Sequence, residues 1–192
     1  MSNIDWEKYY HQTHQKPPSK LLLQALTYEV PNTIAIDLGA GGLRESKYLL
    51  EHDFDVTAVD SEPAMEMEAK KIASDRFHYF ITPLQSLDFK KEYYGLALAI
   101  YSLPFIPQED FCSVFQNIQE SLVKDGIFCG QLFGDRDGWN TNPTMTFHTE
   151  SQARELFHDM DILFFHEEEK DGTTASGSTK HWHVFHVIAQ KR

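Results

Sequence analysis

The sequence predicts an α/β chain folded around a doubly wound, mostly parallel sheet. Three observations carry that reading. Short β-branched and apolar runs alternate with helical stripes along most of the chain, and the first run breaks at a glycine cluster that opens a helix. A later run, Leu96 to Tyr101, is apolar throughout, as expected of a strand covered on both faces in the middle of a parallel sheet.

The elements follow in order. Leu21, Leu22, Ala25 and Leu26 keep helical spacing over Lys20 to Tyr28, and Ser19 stands where a cap is needed. Thr33 to Leu38 reads as the first strand; it ends at Gly39-Ala40-Gly41-Gly42, and a helix runs from Leu43 to Glu51. Phe54 to Val59 is the second strand, ending at Asp60, and Ser61-Glu62-Pro63 opens a helix through Ala73. Phe77 to Ile81 is the third strand and Leu96 to Tyr101 the fourth. Phe111, Val114, Phe115, Ile118 and Leu122 form a helical stripe that Lys124-Asp125-Gly126 ends before a fifth strand, Ile127 to Phe133. Thr149 or Ser151 caps a helix to about His158. Ile162 to His166 and Trp182 to Ala189 then read as strands joined by a polar, glycine-rich loop, with no helix between them, which predicts an antiparallel hairpin.

The 192 residues suit one domain spanning 1–192, with no repeat or linker. With 17 basic against 29 acidic side chains the net charge of -12 repels a phosphate backbone, which disfavours a nucleic-acid substrate. Cys112 and Cys129 each sit in an apolar run, as two reduced, buried thiols would. The first 20 residues hold no apolar stretch of signal length and no long apolar run follows, so a cytoplasmic protein without membrane contact is expected.

In open α/β sheets ligands bind beyond the carboxyl ends of the strands, where strand order reverses. Gly39 and Gly41 allow a close backbone approach there, and the helix that follows offers unpaired N–H groups to an anionic group. Asp60, 21 residues beyond Gly39, is placed to accept both hydroxyls of a ribose. Each motif alone also fits a tight turn or a residue beside a helix cap; together they point to an adenosine-bearing ligand.

Ile36-Asp37-Leu38-Gly39-Ala40-Gly41 and Val56-Thr57-Ala58-Val59-Asp60-Ser61 resemble motifs I and II of class I S-adenosylmethionine (SAM) dependent methyltransferases. The resemblance continues through Tyr101-Ser102-Leu103-Pro104-Phe105, Leu122 to Phe128 and the closing hairpin, and within the family it leans toward small bacterial enzymes related to tellurite-resistance methyltransferases. It implies a Rossmann-like seven-stranded sheet, order 3-2-1-4-5-7-6 with strand 7 antiparallel, and SAM as cofactor. Gly39, Ala40 and Gly41 would lie along its methionine part, Asp37 would anchor the loop or the amino group, Asp60 with neighbouring Ser61 would hold the ribose, and Tyr101 would reach the methionine end. The chain departs from the family pattern at Leu43, where a glycine is usual, at Pro83, where an acidic residue is common, and at Gly95 in place of aspartate. Adenine would then rest on Met65, Leu84 and Gln85.

Methyl transfer asks for alignment and desolvation more than for a catalytic triad. Tyr10, Phe105, Arg136, Trp139 and His148 are the acceptor-side candidates, with residues 135–148 as the acceptor loop and residues 1–30 as a helical segment over the cofactor; Trp6, Tyr9 and Tyr10 equally suit a helix packed on the sheet. A small-molecule acceptor is expected because no long cap domain is inserted. A nicotinamide-dependent dehydrogenase is the rival enzyme, yet Arg44 replaces the third glycine of its fingerprint; a non-catalytic SAM-binding protein is the other rival. The acidic run Glu167-Glu168-Glu169 with Asp171 reads as a solvated loop. His181 and His183 fall on one face of a strand and His186 on the other, which speaks against a shared metal and leaves the pair as minor acceptor-pocket candidates.

Overall fold

The computed structural model describes residues 16–174 and 177–192. Its elements are α1 (Lys20–Ala25), β1 (Ile34–Leu38), α2 (Arg44–Glu51), β2 (Asp55–Asp60), α3 (Ala64–Ala69), β3 (Phe77–Ile81), β4 (Tyr94–Ala99), α4 (Gln108–Ser121), β5 (Leu122–Gly134), β6 (Phe147–His148), α5 (Glu150–Glu155), β7 (Met160–Thr173) and β8 (Thr179–Lys191). The strands order as β3-β2-β1-β4-β5-β8-β7, with β6 pairing β5 off this path. All pairings are parallel except β5 with β8 and β7 with β8. Setting aside the two-residue β6, this is the expected order, and the closing antiparallel hairpin is present.

Two layers of side chains hold the sheet. On one face the α4 stripe of Phe111, Val114, Phe115 and Ile118 packs with Phe128, Leu132 and Phe185, and Phe157 joins them from the end of α5. On the other, Leu21, Leu22 and Ala25 of α1, Leu49 of α2 and Met65 of α3 cover Ala35, Val56, Leu96, Cys129 and Ile188. Local caps agree with the sequence: the Ser19 hydroxyl accepts the Leu21 N–H, and Thr149 with Gln152 forms a capping box on α5. Among the described residues no helix is long and apolar enough to cross a membrane.

Several boundaries differ from expectation. Helix α3 stops at Ala69, short of Ala73, and α4 stops at Ser121, because Leu122 already pairs with Tyr94 and the left-handed Asp125 (φ 63°) lies inside β5. The hairpin strands are far longer than the apolar runs suggested, so Glu167 to Glu169 lie on β7 and not in a loop. Cross-strand partners explain this: Glu167 meets His183 at 2.7 Å and Glu169 meets His181 at 3.0 Å. Cys112 is exposed, against expectation, because it follows Phe111 on the solvent side of the α4 stripe; Cys129 is buried, and burial pushes its thiol pKa up.

Leu43 shows why its position is unusual. It caps α2 in the left-handed region (φ 60°) and is fully buried. The backbone conformation costs about 1–2 kcal/mol for a non-glycine residue, whereas stripping a buried leucine typically costs about 2–5 kcal/mol. Leu43→Gly is therefore expected to lower stability by a net ~1–3 kcal/mol in chemical denaturation. A variant more stable than the wild type would show that backbone strain outweighs the packing.

Candidate functional site at the carboxyl edge of the sheet

The turn after β1 is built by close approach. The N–H groups of Gly39 and Ala40 both donate to the Val59 carbonyl, at 2.8 and 3.0 Å. Gly39 has φ 73°, and a Cβ there would lie 2.2 Å from Ser102 Cβ, so a side chain would push the turn off the end of β4. The Gly41 N–H donates to Asp60 Oδ2 at 2.8 Å and the Glu62 N–H to Oδ1 at 2.9 Å. Asp60 is buried, and both of its oxygens brace backbone N–H groups.

Asp37 is buried at the end of β1 and accepts the Ser46 hydroxyl at 2.7 Å, which ties the strand to α2. Burial first, and then the nearby Glu45, push its carboxyl up to about 7. Glu45 is itself buried and accepts Arg44 Nε at 2.8 Å and the Ser19 N–H at 3.1 Å.

The segment leaving β4 is held in an uncommon conformation. Tyr101 has φ 55°, and its N–H donates to Oε1 of the buried Gln131 at 3.0 Å. Gln131 Nε2 lies 3.5 Å from His186 Nδ1, and His186 Nε2 is 3.6 Å from Glu168. Burial holds the His186 pKa below its usual value. The sequence does not single out Gln131 and sets His186 only on the strand face opposite His181 and His183; their pairing across β5 and β8 follows from hairpin register. Ser102 Oγ is buried beside Gly39 without a hydrogen-bond partner among the described residues. Of the residues expected around the adenosine, Met65 and Leu84 are buried in the layers on opposite faces, while Ser61 and Gln85 are exposed.

Beyond Tyr101 lies an aromatic cluster centred on the buried Phe133. Rings of Tyr101, Phe105, Trp139 and Trp182 stand 6.3, 6.3, 6.2 and 5.9 Å from it. The Lys180 ammonium sits over Trp182 at 3.5 Å, Trp139 at 4.0 Å and Phe133 at 4.3 Å, and is paired with Asp137 Oδ2 at 2.7 Å. Both partners are buried, and Asp137 also accepts the N–H groups of Trp139 and His183. The pair fastens the 135–148 loop to β8; its partners are 43 residues apart, and no local pattern announces it.

The acceptor-side candidates do not all converge. Trp139 joins the aromatic cluster. Arg136 instead turns to the other side of the hairpin, where Glu169 takes its Nη2 at 2.8 Å and Glu167 also binds it. His148 packs on Phe111 at 4.7 Å inside the layer beneath the sheet, where burial depresses its pKa to about 4 and leaves Nδ1 without a partner among the described residues. The physical reason is β6, which binds the end of this loop to the sheet. His181 and His183 also face away from Tyr101, and it is His186 whose ring lies 6.5 Å from it. Tyr10, like Trp6 and Tyr9, lies outside the described residues, as does the first half of the 1–30 segment.

Glu167, Glu169 and His183 bring ligand-type atoms within 4.8 Å of one another. The Arg136 N–H donates to His183 Nδ1 at 3.0 Å, so the imidazole proton resides on Nε2, which points at Glu167. With the Arg136 guanidinium on the same carboxylates, the group is an ion-pair network closed on itself.

Comparison with known proteins bears on the fold. A family model described as a methyltransferase domain matches residues 35–126. No curated protein matched the chain. Among solved structures, TehB from Haemophilus influenzae aligns with a TM-score of 0.76 at 19% identity, covering 97% of this chain and 67% of that one. The 1,6-didemethyltoxoflavin-N1-methyltransferase of Burkholderia thailandensis, solved with its substrate and S-adenosylhomocysteine, gives 0.61 at 21% identity over 82% and 70%. The N-methyltransferase NodS from Bradyrhizobium japonicum, solved with S-adenosylhomocysteine, gives 0.68 at 13% identity over 99% and 89%.

The raised Asp37 pKa has a testable sign. The folded chain binds this proton more tightly than the unfolded chain, whose carboxyl titrates near 3.8, so the group removes stability as pH rises from there through about 7. Asp37→Asn is expected to gain stability relative to wild type between about pH 5 and about pH 8, read from urea denaturation at both. An unchanged difference at the two pH values would contradict the perturbed carboxyl.

Proposed function

We propose that the protein transfers a methyl group from SAM to a small-molecule acceptor by in-line displacement, a reading supported by the match of residues 35–126 to a methyltransferase-domain model and by a fold shared with solved SAM-dependent methyltransferases. The observation that carries this reading is the meeting of the glycine turn, Asp60 and Ser102 where strand order reverses between β1 and β4.

The residues present fit the cofactor. Ser102 Oγ is a buried polar atom without a partner at the turn, suited to the amino-acid end of the ligand, and Asp37 lies beneath that end. Asp60 is positioned to take ribose hydroxyls while it braces Gly41. Met65, Leu84, Gln85 and Ser61 are proposed around the adenosine, with the two buried residues shaping the floor and the two exposed ones reaching the ligand. Tyr101, held by Gln131, walls the methionine end toward the acceptor.

When bound, SAM supplies an electrophilic methyl on a sulfonium. The acceptor's lone pair forms the new bond to that carbon as the carbon–sulfur bond breaks and its electron pair stays on sulfur; a protonated acceptor gives its proton to water. The chain's part is alignment and water exclusion by Tyr101, Phe105 and Trp139. Arg136 and His148, being turned elsewhere, serve the architecture of this loop.

Calorimetry tests the cofactor assignment. SAM and S-adenosylhomocysteine should bind and NAD should not. Asp60→Ala, which removes a charged acceptor of ribose hydrogen bonds worth about 1.5–3 kcal/mol, should weaken SAM at least about tenfold. Tight NAD binding with no response to SAM would overturn the reading.

A further inference from the structure

We infer that Gln131 is a positioning residue for the methyl donor: its side-chain oxygen holds the Tyr101 N–H and thereby sets Ser102 against the glycine turn, where the amino-acid end of the donor is proposed to lie. The inference rests on the methyltransferase reading and adds to it a residue that acts through the backbone and not on the ligand.

Backbone geometry is the first argument. Strand β4 stays paired with β5 as far as Ala99, opposite Gly130, and the chain then leaves the sheet. Two residues on, Tyr101 stands at φ 55°, a region that non-glycine residues rarely adopt, and Ser102 follows at φ -109°. Such a conformation persists only where the surroundings impose it. Gln131 Oε1 accepts the Tyr101 N–H at 3.0 Å from thirty residues away in sequence. The turn of the chain at Tyr101 brings Ser102 Cβ into the space that a Gly39 side chain would need, 2.2 Å from where its Cβ would stand. Relaxation of Tyr101 to a negative φ would redirect the chain into Ser102 and open that contact.

The chemistry of the amide is the second. Gln131 is 1% exposed on β5, a costly place for an amide whose two ends are not engaged. A backbone N–H can only donate, so the amide oxygen faces Tyr101 and the nitrogen faces the other way. There it lies 3.5 Å from Nδ1 of His186, the residue opposite Gln131 in the β5–β8 register. An apolar side chain of similar length would fill the same volume, so what glutamine adds at this position is the acceptor for Tyr101.

The consequence falls on one end of the donor. Ser102 Oγ is buried without a hydrogen-bond partner among the described residues, beside Gly39. A shift of the backbone at Tyr101 moves this hydroxyl, whereas the Asp60 clamp on Gly41 and Glu62 is made by other atoms and stays. Gln131 therefore governs the amino-acid end of the donor and not its adenosine end.

The test compares two ligands that differ only at that end. Calorimetry measures S-adenosylhomocysteine and 5′-methylthioadenosine, which keeps the adenosine and the thioether and lacks the amino-acid group, on wild type, Gln131→Met and Gln131→Glu. Wild type should bind S-adenosylhomocysteine at least about tenfold tighter than 5′-methylthioadenosine. Gln131→Met, similar in length and without the acceptor, should lose about tenfold in S-adenosylhomocysteine affinity while 5′-methylthioadenosine stays within about threefold. Gln131→Glu offers an oxygen to the Tyr101 N–H whether its carboxyl is ionised or protonated, and its preference should stay within about threefold of wild type. A residue that only filled the sheet would lower the melting temperature and weaken both ligands together. That outcome overturns the inference, as does a wild-type preference in Gln131→Met or equal binding of the two ligands by wild type. Should Gln131→Met fail to fold, Gln131→Glu decides: loss of the preference with the fold intact overturns the inference, and retention supports it. If wild type binds neither SAM nor S-adenosylhomocysteine, the methyltransferase reading falls; if it binds them and the variants depart from this order, only the role of Gln131 falls.

Discussion

The Asp60 carboxylate is the constraint on which the glycine-turn half of the candidate site depends. Its two oxygens hold the N–H groups of Gly41 in the turn after β1 and of Glu62 at the approach to α3. Both groups lie in the connections that precede the helices, and a buried carboxylate is tolerable here because it accepts these two N–H groups. The clamp fixes the turn at the height where Gly39 touches Ser102, and that contact sets how β4 delivers Tyr101.

From Tyr101 onward the structure passes from local to distant dependencies. Its left-handed backbone is stabilised by Gln131, thirty residues away, and Gln131 is oriented by His186 from the closing hairpin. The wall beside it is fastened by a buried ion pair between Asp137 and Lys180. Such a pair adds little net stability over an apolar substitute, yet breaking it strands a charge, so it specifies one arrangement more than it strengthens the fold. The acceptor side can thus vary in shape while the glycine turn and its carboxylate stay the same.

This division explains what the sequence revealed. The alternation of strands and helices, the closing hairpin, the glycine turn and the spacing to Asp60 were legible because each is encoded within a few tens of residues by strand runs, turn glycines and one spacing, whereas the strand order came from the family resemblance. Met65 and Leu84 were readable as apolar but not as belonging to opposite faces. The acceptor side was poorly legible. Arg136 read as an acceptor-side residue because nothing local says that Glu167 and Glu169 will claim it, and His148 read as one because a two-residue strand is too short to leave a pattern. The acidic run read as a loop for a related reason: its strand character comes from cross-strand histidines that only the paired register reveals.

Register is where the two sides of the hairpin meet the site. The period of two puts Lys180, Trp182 and His186 toward Tyr101, while His181 and His183 turn to the acidic residues of β7. A slip of one residue would exchange the sets, placing imidazoles and carboxylates against Phe133 and exposing the tryptophan. The contact between β5 and β8 prevents this: His183 lies so close over Gly134 that a Cβ there would be 2.0 Å from Nδ1, and that same nitrogen accepts the Arg136 N–H. By admitting one imidazole Gly134 fixes the hairpin register, and the register decides that the face presented beside Tyr101 is aromatic and not ionic.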